Sequence, residues 1–187
     1  MRYSQNNEQD IILSYFSGKN GVFLDIGAND GVTLSNTYAL QLAGWNGVLV
    51  EPSEEAFNRI PDNKAVQKFN VAIGTHDGTG TFYEMGNHLN RGDVSLLSTI
   101  KKTELKRWQG VEFKERFTEV WTYQTLLRHC AWKRFDFISI DAEGVDYEIL
   151  EQININHVSM ICIEHNSNVD MYQLRSEEHT SELQSRF

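Results

Sequence analysis

Short apolar runs bounded by glycine alternate along this chain with stretches whose apolar residues recur at near-helical spacing. Val22–Ile26 (VFLDI) lies between Gly21 and Gly27, and Val48–Val50 ends at Glu51. Val66–Ile73, Phe135–Ile140 (FDFISI) and Ser159–Glu164 (SMICIE) are runs of the same kind. Such runs predict strands covered on both faces, as in a parallel sheet. Between them, Asp30–Ala43 places Val32, Leu34, Tyr38 and Leu42 near helical spacing, with Gly44 as its C-cap. Glu54–Ile60 carries acids in its first turn, where the helix dipole favours them. Tyr123–Cys130 and Val145–Ile153 are two further predicted helices. Strand–helix alternation implies right-handed crossovers and an α/β fold.

One interval breaks the rhythm. Gly74–Gly80 (GTHDGTG) is rich in turn residues, Thr81–Glu84 and Thr118–Trp121 predict short strands, and Met85–Gly110 has no period. The interval is thus an irregular insert between the third and fourth core strands. Trp45 is expected in the core; Trp108, Trp121 and Trp132 are scattered and form no stacking platform.

Composition changes the picture only at the margins. With 187 residues, 40% apolar and 23% charged, the chain fits a single soluble domain. No apolar run is long enough to span a membrane, and Met1–Asp10 holds no signal-peptide core. Cys130 and Cys162 suggest no disulfide framework, which favours a reducing, cytoplasmic location. A net charge of −9 argues against nucleic acid as a partner, and the local basic cluster Lys101, Lys102, Lys106 and Arg107 is read as a solvated face. The last stretch, Arg175–Phe187 (RSEEHTSELQSRF), has two apolar residues and no period. It resembles a translated sequencing adapter and is expected to be a disordered tail foreign to a domain spanning residues 1–174.

Candidate chemistry collects at the carboxyl ends of the predicted strands, where parallel sheets bind ligands. After the first strand comes Gly27-Ala28-Asn29-Asp30-Gly31, preceded by Asp25; Glu51 ends the second strand. The glycines admit a tight turn, and the carboxylate of Glu51 is able to accept both hydroxyls of a ribose. Two ligand classes share this layout. A dinucleotide needs G-x-G-x-x-G for its pyrophosphate, a template this turn fails, and Asp25 and Asp30 repel phosphate. S-adenosylmethionine has a sulfonium and an ammonium group and no phosphate, so carboxylates attract it. The plainer alternative is a simple strand-to-helix turn with Glu51 as a surface acid.

Taken together, Tyr3-Ser4-Gln5-Asn6, Phe23–Gly31, Leu34–Thr37, Gly44–Pro52, Asn70–Ile73 and Phe135–Gly144 resemble the FkbM-type methyltransferases over nearly all of residues 3–166. The resemblance implies a Rossmann-like class I methyltransferase fold: a mostly parallel sheet with helices on both faces, here ending after the fifth core strand, without the antiparallel pair that usually completes it. It implies methylation of a sugar or small-molecule hydroxyl, with S-adenosyl-L-methionine as cofactor. Cofactor contacts then fall on Asp25, Gly27, Asn29, Gly31, Glu51 and Pro52, with Asn70, Val71 and Ala72 near the adenine. Tyr3, Ser4 and Gln5 become an N-terminal flap over the cofactor rather than a frayed terminus. Asn6-Asn7-Glu8-Gln9-Asp10 departs from the family pattern, in which a glycine precedes an adjacent acidic pair.

A hydroxyl nucleophile benefits from a base beside the acceptor. Asp141 and Glu143 follow the fourth strand, and Glu164 and His165 the fifth. Asp141, Glu143 and His165 are the catalytic candidates, and Asp141 also reaches the cofactor. Alternatively the two acids cap the next helix, and His165 simply hydrogen-bonds at a strand end. Oxygen ligands of this kind suit magnesium or calcium, but the spacing fixes no site and no metal is assigned. The acceptor, a small molecule or glycan, is expected along Met85–Thr118. The competing functions are an NAD-binding oxidoreductase and a methyltransferase-like fragment without activity.

Overall fold

The computed structural model describes residues 1–85, 98–107 and 111–164. Five parallel strands make the main sheet: β1 (Val22–Ile26), β2 (Asn46–Val50), β3 (Val66–Phe69), β7 (Phe137–Ile140) and β8 (Met160–Ile163). Their order is β3-β2-β1-β7-β8, so β1 lies at the centre and the direction of winding reverses beside it. All four adjacent pairs are parallel, with Leu24 facing Val48 on one side and Ile138 on the other. This is the expected Rossmann-like arrangement.

Alternation along the strands divides the core into two layers. Leu24, Ile26, Val48, Val50, Ile138 and Ile140 face one way. They pack against Tyr123 and Leu126 of α4 (Tyr123–His129) and Ile149 of α5 (Asp146–Leu150). Phe23, Leu49 and Phe137 face the other way. They meet Ile12 of α1 (Glu8–Tyr15), Leu40 of α2 (Tyr38–Leu42) and Trp45, which is buried as its sequence context predicts. Each strand therefore contributes apolar atoms to both layers, which is why the runs lack polar alternation. Among the described residues no helix is long and apolar enough to cross a membrane.

The helices predicted over Glu54–Ile60 and Val145–Ile153 form over the shorter spans Glu54–Phe57 and Asp146–Leu150, and two further predicted elements are interrupted. The helix expected over Asp30–Ala43 is confined to Tyr38–Leu42. Ahead of it, the Asp30 carboxylate accepts the N–H groups of Val32 and Thr33 at 2.9 and 2.6 Å. Leu34 takes a left-handed φ of 56°, and Ser35 Oγ accepts the Tyr38 N–H at 3.0 Å. These local side-chain bonds hold the backbone in turns and postpone the helix. The predicted strand over Val66–Ile73 is split. Asn70 donates to the carbonyls of Glu51 and Pro52 at 2.8 and 3.2 Å, and β4 (Ala72–Ile73) joins a second sheet.

That second sheet, ordered β4-β6-β5, gives shape to the insert. β5 (Gly78–Met85) and β6 (Phe113–Trp121) form an antiparallel ladder longer than the predicted short strands. Thr99 pairs with Tyr83 along the far side of β5, and a 3-10 helix (Lys102–Arg107) carries much of the basic cluster. The tail over residues 175–187 lies outside the described residues.

Candidate functional site

The end of β1 passes directly into a turn whose geometry fixes the site. Gly27 has φ 83°, and an added Cβ would fall on the carbonyl oxygen of Asp141. The N–H groups of Gly27 and Ala28 both donate to the Val50 carbonyl, at 2.9 and 3.0 Å. The turn after β1 is thus pinned between the ends of β2 and β7. Asn29, also left-handed at φ 49°, donates its N–H to Glu51 Oε2 at 2.8 Å, and Ser53 donates its N–H to Glu51 Oε1 at 2.7 Å. Asp25 accepts the Thr37 hydroxyl at 2.6 Å.

Both acids are deeply buried, Asp25 at 4% and Glu51 at 5% exposure. Burial raises the Asp25 carboxyl to about 6 against the opposing hydrogen bonds of Thr37 and Ser139. Burial likewise raises Glu51 to about 7, opposed by the N–H groups of Ser53 and Asn29 and assisted by the charges of Asp25 and Glu84.

Beside this end lies a rim of three carboxylates. Asp141, Glu143 and Glu164 bring oxygens within 4.8 Å of one another. Asp141 opens onto the cavity, yet protein surrounds it; desolvation first, then the charges of Glu164 and Glu143, drives its carboxyl well above the ordinary range. The same causes, desolvation and then Glu164, raise Glu143 to about 8. Neither acid caps α5, whose N-cap Val145 makes no side-chain bond; the carboxylate of Asp146, the first residue of α5, instead reaches back to accept the N–H groups of Ala142 and Gly144 at 2.6 and 2.9 Å and so braces the loop. Thr99 donates its hydroxyl to the Glu143 carbonyl at 2.6 Å, and Lys101 donates to the Gly144 carbonyl at 2.8 Å. The left-handed backbone of Glu143 (φ 48°) is held from outside by these bonds. Three carboxylate oxygens at this spacing suit a hard divalent cation.

One cavity of about 580 Å³ connects both ends. Its lining takes in Gln5, Asp25, Gly27, Asn29, Glu51, Pro52, Val71, Ala72, Asp141 and Glu143 of the predicted site. Two predicted residues stand elsewhere. Gly31 is backed by Ile60 and Leu49 and shapes the turn from behind. Asn70 supports the cavity through the Glu51 and Pro52 carbonyls without lining it. His165 lies outside the described residues. No local pattern signals Thr99, which acts across the fold on Glu143, and Asp146 is missed because its bonds brace a loop rather than cap a helix; Ser53, by contrast, precedes acidic residues as a helix cap should.

Glu8 and Glu164 also line the cavity, so six carboxylates face it, and no Lys, Arg or His does so among the described residues. Such a field attracts a cationic ligand and repels a pyrophosphate. Val71, Ala72, Ile73 and Ile100 supply an apolar wall of the kind a flat aromatic ring needs.

No curated protein and no solved structure matches the chain. The profile described as the Methyltransferase FkbM domain matches residues 25–184, from the buried aspartate of β1 through both strand-end acid groups and on into the terminal stretch. With most of its length so matched, the chain belongs to the FkbM methyltransferase family.

Proposed function

We propose that the protein transfers a methyl group from S-adenosylmethionine to a hydroxyl of a sugar or another small molecule, working in the cytoplasm. The observation that carries this reading is a single cavity with two buried acids under a glycine turn at one end and an acidic rim at the other. The two free cysteines fit a reducing compartment.

Bound S-adenosylmethionine supplies a methyl carbon already activated by its sulfonium. The remaining tasks belong to the chain. Glu51, held by two backbone N–H groups, accepts the ribose hydroxyls, and Asp25 attracts the cationic end of the cofactor. Pro52, Val71 and Ala72 border the adenine, and Gln5 closes the cavity from the N-terminal side. In-line attack then depends on alignment of the acceptor oxygen with the methyl carbon. Glu143 or Asp141 takes the acceptor proton as the oxygen–carbon bond forms and the carbon–sulfur bond breaks. A carboxyl raised to about 8 is a stronger base, once ionised, than an ordinary glutamate.

Calorimetric titration with S-adenosylhomocysteine and with NAD tests the cofactor class. Binding of S-adenosylhomocysteine alone is the expected result, and binding of NAD alone overturns the proposal. Transfer of labelled methyl to a panel of sugars and small hydroxyl compounds then tests the acceptor class. Donor binding with no transfer to any member points instead to an inactive fragment.

A further inference from the structure

Glu51 does not stand alone at the end of β2. Its neighbour Ser53 makes three bonds: its N–H donates to Glu51 Oε1 at 2.7 Å, its Oγ accepts the Ala56 N–H at 3.3 Å, and its hydroxyl proton goes to Glu84 Oε1 at 2.6 Å. Ser53 is 1% exposed, and Pro52 between it and Glu51 stiffens the turn. Glu84 belongs to β5 of the antiparallel sheet, and its other oxygen meets Arg116 Nε of β6 at 3.3 Å. Its side chain is 12% exposed and that of Arg116 62%, so the chain of contacts runs from the surface to the buried acid.

Each bond in this series fixes the next. The Ser53 hydroxyl has one proton to give, and giving it to Glu84 turns an oxygen lone pair toward the Ala56 N–H at the start of α3 (Glu54–Phe57). With its side chain held at both sides, the Ser53 backbone cannot turn, and its N–H stays aimed at Glu51. Charge-assisted bonds of this kind are short and directional.

We propose that Glu84, acting through Ser53, is a positioning residue that holds the Glu51 carboxylate in the orientation a ribose diol requires. The proposal rests on the reading of Glu51 as the ribose acceptor. It makes cofactor affinity depend on the second sheet, which contributes no carboxylate to the cavity lining.

The test compares, by calorimetry on the full chain, S-adenosylhomocysteine with its 2′,3′-dideoxyribose analogue. Wild type is expected to prefer the hydroxyl-bearing ligand by about tenfold or more. In Ser53→Ala and Glu84→Ala this preference falls by about tenfold, while affinity for the dideoxy analogue stays within about twofold. Glu84→Gln, which keeps the Oε1 acceptor, retains the preference. An unchanged preference in Glu84→Ala, or an equal loss of both ligands, overturns the role of Glu84 while leaving Glu51 as assigned. A wild-type protein that binds both ligands equally removes the ribose assignment of Glu51, and the proposal with it. Ser53→Ala leaves the sheet untouched and carries the same comparison if Glu84→Ala does not fold.

Discussion

The N–H of Asn29 donates to Glu51 Oε2 at 2.8 Å, joining the turn after β1 to the end of β2. The bond makes the acid part of the turn rather than a side chain set down beside it. Because Ser53 engages the other oxygen, the carboxylate keeps its outward lone pairs for a ligand.

Glu51→Gln is therefore expected to weaken S-adenosylhomocysteine binding by about 2 kcal/mol, since a charged acceptor is lost and one of two backbone donors loses its partner. Asp25→Ala is expected to remove detectable binding altogether. A calorimetric Kd unchanged in both variants would sink the assignment of the cofactor end.

Acidity should govern this end of the cavity. The carboxyls of Asp25 and Glu51 are raised to about 6 and about 7. A cationic ligand with hydroxyl donors favours their ionised forms, so binding releases protons and affinity rises from pH 5 to pH 8. Stability of the unliganded protein runs the other way. Over the window between the ordinary carboxylate range and the raised values, the folded state binds more protons than the unfolded one, so stability falls as pH increases. Titrations with S-adenosylmethionine and melting curves at pH 5, 6.5 and 8 check both trends; an affinity that declines with pH contradicts them.

The acidic rim gives a separable expectation. Glu143→Gln should lower turnover by about a hundredfold once an acceptor is in hand, with donor affinity within about twofold of wild type. Asp141→Asn should do the same to turnover and also weaken donor binding, because the Asp141 backbone carbonyl lies directly behind the Gly27 turn. Steady-state rates beside binding constants distinguish the two, and turnover indifferent to both changes removes the rim from catalysis.

Gly27→Ala tests the turn itself. Its φ of 83° and the Asp141 carbonyl at its back leave no room for a methyl group. A loss of roughly 3 kcal/mol is expected. For a chain of this size that corresponds to a Tm lower by about 10 °C. A melting temperature equal to that of wild type would show that β7 yields easily at this point.

The central strands β1, β2 and β7 were legible in the sequence because both of their faces are covered and the pattern of apolar residues records burial directly; the edge strands β3 and β8 are only half-buried. Asp30–Thr37 was misjudged because Asp30 and Ser35 bond to nearby backbone, a preference that periodicity does not register. The extent of β6 was hidden by Lys114-Glu115-Arg116, charged residues on an exposed strand. Asp25, Glu51, Asp141 and Glu143 were legible from topology, since strand ends collect ligands. Thr99 was not, because its partner Glu143 is 44 positions away, and no local pattern reports such a bond.

The split between Phe69 and Ala72 gives the cavity wall a double allegiance. Val71 packs with the core of the first sheet, while Ala72 and Ile73 are already paired with Val120 and Trp121 of the second. A nucleoside lodged against this wall would act as a rivet through two plates. Heat or denaturant that loosens one plate must then also expel the rivet, so the occupied protein should come apart in one step.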